Sequence, residues 1–452
     1  MTKVKENFNK ILWFYLFLNP FLDIISGSYI YYQYGHLLNV NEASIGLTPS
    51  LIIRMAMLLF FAVYILIMRD KKAILAAVPM VVAFCLSVAS EYVRLGSVNK
   101  MTDAQYFTKF FYNIIIIFVY ADYCKTCGYS RKELLARIHK MLCIVSFVLA
   151  AGIIIPFIFD FGFFTYADRF GYRGFRGIYY SGNDITATLM LITPITLCNY
   201  LSLSRYERLG WKRWAFYGLA PALSTLCMLL IGTKTAYMAV AICVVLIVLY
   251  GIFRKLRCSR PDRTLFGVGI YAIAVLASMA LLSVVAQHSV FASILNSFSG
   301  IDSAAKESTQ TLVLSGRQIK LHDTLALFKN GGVATWVFGL GRGAVTKVIE
   351  MDVFEVVFYY GIFGTFCMLW IYVKAGLDFI IGFLKHIDFN TLGAFISLGT
   401  CVCYFVIAGH VLFSVTSGFF FAFLIVYGSY LLSGEKLLPY ISAPRLEAEK
   451  RD

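Results

Sequence analysis

Three groups of charged residues break an otherwise apolar chain, and their types suit a ligand that carries several negative charges. The first lies in Arg173-Gly174-Phe175-Arg176-Gly177-Ile178-Tyr179-Tyr180-Ser181-Gly182-Asn183-Asp184, which runs directly into an apolar stretch. Arginines just before a helix N-terminus suit a phosphate, and glycines let backbone approach a bulky ligand. Asn183 and Asp184 read either as the cap of that helix or as part of the same site. The second group is Gly232-Thr233-Lys234-Thr235-Ala236, a tight turn between two apolar stretches. A lysine there is costly unless it pairs, lines a wet cavity or snorkels to the headgroups. The third spans Ser315-Gly316-Arg317, Gly339-Leu340-Gly341-Arg342-Gly343 and Glu350-Met351-Asp352. Its glycine-rich piece lacks the spacing and the Gly-Lys-Ser/Thr ending of a nucleotide-binding loop, so nothing points to nucleotide hydrolysis.

Arginine forks match phosphate oxygens two at a time, and lysine acts as a point charge. Lys234, Arg317, Arg176 and Arg342 therefore suit a diphosphate, whose departure from a sugar develops charge that fixed cations would stabilise. Glu350 or Asp352 would serve as base toward an attacking hydroxyl, typically worth about 10²–10⁴-fold. Cysteine and histidine sets of metal-binding spacing are absent, so no metal site is expected. Further polar residues inside apolar stretches are Asp23, Arg54, Glu91, Lys109, Glu355 and His410. Each is a functional candidate by default. Arg54 and Glu91, both near the outer ends of their stretches, are expected to pair, and His410 reads as either catalytic or interfacial.

The elements that must position these groups are membrane helices. Of 452 residues, 60% are hydrophobic, 16% aromatic and only 14% charged, where soluble domains carry about 25% charge. That excludes several soluble domains, a disordered chain and a secreted disulfide scaffold. A helix needs about 20 mostly apolar residues to cross a bilayer. Twelve such stretches lie near 11–30, 50–68, 73–92, 106–122, 138–159, 184–202, 214–231, 233–253, 265–288, 353–373, 391–411 and 415–433. They are apolar all round, unlike the alternating strands of a membrane barrel. The expectation is an all-α polytopic membrane protein forming one transmembrane domain over 1–452. A long outer loop, 289–352, is inserted between the ninth and tenth spans. Leu321, Leu325, Leu327 and Phe328 recur around Gln318, Lys320 and Asp323, which predicts an amphipathic helix lying as a lid over the outer mouth.

With both termini cytoplasmic, the inner segments hold 26 of the 40 Lys and Arg, the bias that sets orientation. The net charge of +15 is thus mostly topology, and nucleic-acid binding is not needed to explain it. All eleven cysteines fall in spans or inner segments, which argues against disulfides, and Cys124-Lys125-Thr126-Cys127 is a lone CxxC without a partner pair. Lys3, Lys5 and Lys10 precede the first span as in a signal peptide, but no clear cleavage site follows, so the span reads as a retained anchor.

The Gly-Thr-Lys-Thr-Ala hairpin and the Ser-Gly-Arg within the long loop carry a family likeness. So does the run from Phe338-Gly339-Leu340-Gly341 to Glu350-Met351-Asp352, then Tyr360-Gly361-Ile362-Phe363-Gly364 and Ala408-Gly409-His410. Together they resemble the O-antigen ligase and Wzy-type polysaccharide polymerase family. The resemblance covers most of the chain in topology. It implies a GT-C-like membrane glycosyltransferase in the bacterial plasma membrane. The donor would be an undecaprenyl-diphosphate-linked oligosaccharide, used at the outer face without cofactor, nucleotide sugar or required metal. Membrane lipids and other polysaccharide-assembly proteins are the implied partners. In relatives an arginine of the seventh-to-eighth hairpin contacts phosphate, and Lys234 stands there; the long-loop arginine matches Arg317. Ligases place a histidine shortly before the tenth span, where this chain has Glu350 and Asp352. That departure favours a polymerase over a ligase. A flippase of lipid-linked sugars is the alternative from another class, against which stand the missing internal repeat and the one-sided charges.

Overall fold

The computed structural model describes residues 2–34, 48–68, 70–165, 174–204, 209–257, 263–287, 289–295, 316–346 and 348–432. Of the candidates above, Arg173 and Ser315 lie outside these residues. Nine helices come first: α1 (Thr2–Tyr34), α2 (Pro49–Met68), α3 (Lys71–Leu95), α4 (Lys100–Thr126), α5 (Arg131–Ile158), α6 (Gly182–Ser204), α7 (Trp211–Ile231), α8 (Lys234–Arg257) and α9 (Thr264–Val285). They are followed by α10 (Arg317–Asn330), α11 (Gly332–Phe338), α12 (Asp352–Lys385), α13 (Phe389–Ile407) and α14 (Ser417–Leu432). Between α5 and α6 a small antiparallel ribbon joins β1 (Phe163–Phe164) to β2 (Phe175–Gly177).

Eleven of the helices are long and apolar enough to cross a membrane. The twelfth expected span is α14, shorter at 16 residues, about 24 Å of helix. The protein is an all-α multipass membrane protein. Polar side chains cap the starts of α3, α4, α5 and α13. Asp70 accepts hydrogen bonds from the N–H groups of Lys72 and Ala73 to start α3, and Gly96, at φ 68°, ends it. Asp388 and Thr391 form a reciprocal capping box at the start of α13.

Burial sorts the helices into layers. Helices α6 and α14 are buried along nearly their whole length and form the centre of the bundle. Two threonines of α6 bond back to their own helix, Thr188 at 2.8 Å and Thr196 at 3.1 Å, while Thr193 turns to Met228 Sδ. By contrast α2, α8 and α9 present Leu59, Leu66, Leu249, Ile273 and Leu276 outward, the surface that a bilayer rather than water would cover. Helix α10 packs Leu321, Leu325 and Phe328 inward, and the Phe328 and Phe358 rings meet at 5.3 Å. Leu327 departs from the expected inner face: it is exposed, and Thr324 is buried in its place.

Helix α12 is broken at Gly361, where φ is 68° and ψ −174°. The break frees carbonyls that cannot stay bare in a membrane interior. Leu340 and Gly341 donate their N–H groups to the carbonyls of Phe358 and Tyr359, and the Ser87 hydroxyl donates to Tyr359 as well. The glycine-rich segment 339–343 is therefore a clasp on the broken helix. A Cβ on Gly361 would lie 2.4 Å from the Val337 carbonyl oxygen. Gly361→Ala is expected to lower the melting temperature in detergent by several degrees, the left-handed φ alone costing about 1–3 kcal/mol. Gly376→Ala, in open space on the same helix, should leave it unchanged or raise it.

Candidate active site

The starts of α6, α8, α12 and α14 share one end of the bundle with α10, and the charged groups collect there. Thr233 shapes the short turn before α8. Its hydroxyl accepts from the Ala236 N–H at 3.2 Å and its carbonyl from the Tyr237 N–H, which sets Lys234 at the first helical position. Gly316, at φ 82°, turns the chain into α10 so that Arg317 opens that helix. Arg317 and Lys234, 83 positions apart in the sequence, come within electrostatic reach of each other.

Glu350 bridges this cationic group. Arg317 donates to its Oε2 at 2.6 Å and Lys320, one turn along α10, to its Oε1 at 3.3 Å. Burial alone would push the Glu350 carboxyl up, but Arg317, then Lys320 and His410, outweigh it and hold the group below the ordinary glutamate value. Glu350 is also one of the few described non-glycine residues in left-handed backbone, at φ 66°. Strain of that kind persists only where surroundings impose it. Here the Glu350 N–H donates to Glu355 Oε1 at 2.8 Å.

Asp352, the other expected base, has no exposed surface. Its Oδ2 accepts from the N–H groups of Val411 and Leu412 at 2.6 and 2.7 Å, and its Oδ1 faces His410 Nδ1 at 3.0 Å. Glu355 Oε2 lies 3.6 Å from the same nitrogen. So Asp352 positions the 410–412 turn and the imidazole, while the partly exposed His410 is the member that a ligand can reach. Burial works against a charged imidazole, but Glu355, Asp352 and Glu350 overcome it and raise His410 to about 9. Asp352, Glu355 and His410 also form the one group among the described residues that would hold a metal ion, with ligand atoms within 4.8 Å of one another. His410 Nδ1 hydrogen bonds Asp352 Oδ1, and Glu355 Oε2 lies beyond hydrogen-bond distance of it.

The remaining candidates are placed around this centre. Ser181 caps α6 through its hydroxyl, so Asn183 and Asp184 lie in the first turn rather than at the cap. Asp184 Oδ1 accepts from Ser417 Oγ at 3.1 Å, and the same hydroxyl lies 3.2 Å from the His410 carbonyl. Tyr404 hydrogen bonds the Asn183 carbonyl and lies within electrostatic reach of Arg317, Asp184 and Glu350. Arg176 stands over the Phe163 and Tyr180 rings. Arg342 is buried, 4.5 Å from the Tyr106 ring centre and 5.5 Å from that of Tyr359, and bonds the Val345 carbonyl. That placement uses it in the wall of the site. Arg54 does not pair with Glu91: it forms a 2.8 Å ion pair with Asp23 and bonds Asn19. Glu91 instead faces Asp103; Glu91 abuts Gly341, and both carboxylates abut Gly343.

Sequence reading did not single out Lys320, Tyr404 or Ser417 for the site, and it named Glu355 only as a polar residue inside an apolar stretch. Lys320 was legible as the residue one turn after Arg317, but Tyr404 and Ser417 become visible only through packing.

The match to known sequences agrees with this geometry. The model of the family described as O-antigen ligase like membrane protein matches residues 5–300 and 300–433. The chain belongs to that family. Membership places it among membrane enzymes of glycosyltransferase type that handle glycans. No curated protein matches the chain.

Because His410 rises from 6.5 to about 9 on folding, its contribution to stability is complete below about 6.5 and is lost as pH rises through about 9. The melting temperature of the wild type in detergent is expected to fall across that interval, and His410→Asn should flatten the fall.

Proposed function

We propose that the chain is a polysaccharide polymerase that transfers a lipid-diphosphate-linked oligosaccharide onto a growing glycan at the outer face of the bacterial plasma membrane, with both termini cytoplasmic. The observation that carries this reading is the pairing of Arg317 and Lys320 with the Glu350 carboxylate, with Lys234 of a separate helix within electrostatic reach of Arg317. Three cations against one acid leave a surplus that suits a diphosphate. Glu350 pairs with Arg317 and Lys320. A diphosphate that takes those cations frees Glu350, whose carboxyl then returns toward the range in which it accepts a proton.

In the transfer, the bond between the anomeric carbon and the diphosphate oxygen breaks, and the lipid diphosphate leaves with the electron pair. The acceptor hydroxyl forms the new bond to that carbon and passes its proton to Glu350. The cations stabilise the charge on the departing oxygen, a contribution removed at about 10²–10³-fold cost when a comparable donor is deleted. The charged His410 adds a further positive group held by Asp352. No nucleotide sugar, cofactor or metal enters these steps, and undecaprenyl diphosphate is the proposed carrier.

A second reading, a ligase that moves finished glycan to another acceptor, gains from one observation. His410 reaches the start of α12 through space, close to where ligases carry a histidine in sequence. The two readings separate in cells: loss of a polymerase shortens chains, whereas loss of a ligase leaves long chains unattached.

Arg317→Ala is expected to reduce polymer formation about 10²–10³-fold in membranes, and Lys234→Ala about tenfold, at unchanged protein levels. Chain length on gels reads the effect. Normal polymer in both variants would remove these residues from the mechanism.

A further inference from the structure

A cavity of about 270 Å³ opens beside the site, between α1, α2, α4 and the start of α6. Its walls include Asp23, Gln105, Lys109, Tyr180, Asp184 and Thr416. The charges on it cancel, since Arg54 is paired to Asp23 and Lys109 is matched in number by Asp184. A polyanion therefore gains nothing there, in contrast to the Lys234–Arg317 group. Among Ile30, Leu51, Ile185 and Val415 the walls also carry hydroxyl, amide and carboxylate groups and tyrosine rings, and a lipid tail would leave those polar groups unsatisfied. A pyranose offers what they need: hydroxyls that both donate and accept, and an apolar C–H face for a tyrosine ring. Ligand pockets run from about 300 to 1,000 Å³, so this one takes a single sugar ring rather than a whole oligosaccharide.

The cavity meets the site at Asp184. One oxygen of that carboxylate is held by Ser417, whose hydroxyl also touches the His410 carbonyl. Among the described residues its other oxygen accepts no hydrogen bond. Tyr404 lies within electrostatic reach of Asp184 on one side and of Arg317 and Glu350 on the other. We propose that this cavity is the subsite for the terminal sugar of the acceptor glycan, which it holds with its nucleophilic hydroxyl toward Glu350 and Arg317. The proposal rests on the glycosyltransferase reading above.

The test uses the full chain purified in detergent and two probes. One is the oligosaccharide released by mild acid from the host's lipid-linked pool, which has no diphosphate and cannot act as donor. The other is inorganic pyrophosphate. Gln105→Ala and Lys109→Ala are expected to weaken oligosaccharide binding at least fivefold and leave pyrophosphate binding within twofold. Arg317→Ala should do the reverse, and the wild type should extend the free oligosaccharide from the lipid-linked donor. Unchanged oligosaccharide binding in both cavity variants, in protein that stays monodisperse, would overturn the subsite. So would an oligosaccharide that binds but competes with the donor instead of being extended, since the cavity would then hold the donor's sugar. Absence of any transfer or pyrophosphate binding by the wild type would instead overturn the enzyme reading on which the subsite depends.

Discussion

A carboxylate with no exposed surface must spend every lone pair on a partner, and Asp352 is the residue through which that rule organises the molecule. Its oxygens collect two backbone N–H groups and an imidazole from the α13–α14 turn. Those bonds tie the start of α12 to the start of the central helix α14. Glu355, one turn later, holds the imidazole from the other side and fixes the strained backbone of Glu350. Glu350 in turn holds α10 by Arg317 and Lys320. The cationic group is thus suspended from a chain of ion pairs that begins at one buried aspartate.

The same requirement explains the glycine-rich segment. Nothing in its pattern of glycines distinguishes a loop that wraps a phosphate from one that wraps protein backbone. The broken turn at Gly361 supplies the bare carbonyls, and the adjoining Glu91 and Asp103 leave no room for side chains at Gly341 and Gly343. Gly343 even donates its N–H to Asp103.

Helix existence was legible because membrane crossing is a property of local composition: the apolar stretches mark the long helices, and Gly232-Thr233-Lys234 announces its turn. Arg317 was legible because a cation in an apolar surround needs a reason. What the linear pattern could not supply was rotation of each helix about its axis. Arg54 could face Glu91 or Asp23 at equal sequence cost, and only packing of α1 against α2 decides for Asp23. Asp352 looked like a base because its type and place allow it, yet three hydrogen bonds consume its oxygens. Leu327 fits a helical stripe and still points outward, because α10 tilts its contact line toward Thr324.

The pairing of Arg317 with Glu350 carries a consequence for selectivity against a surrounding bilayer. Phospholipid headgroups are abundant at this depth and present phosphate oxygens of their own. A headgroup with one negative charge would exchange one ion pair for another of equal sign and number, with little net gain. On the proposed reading, a pyrophosphate would bring more charge than it displaces, and the Arg317–Glu350 salt bridge would act as a threshold against the solvent lipid.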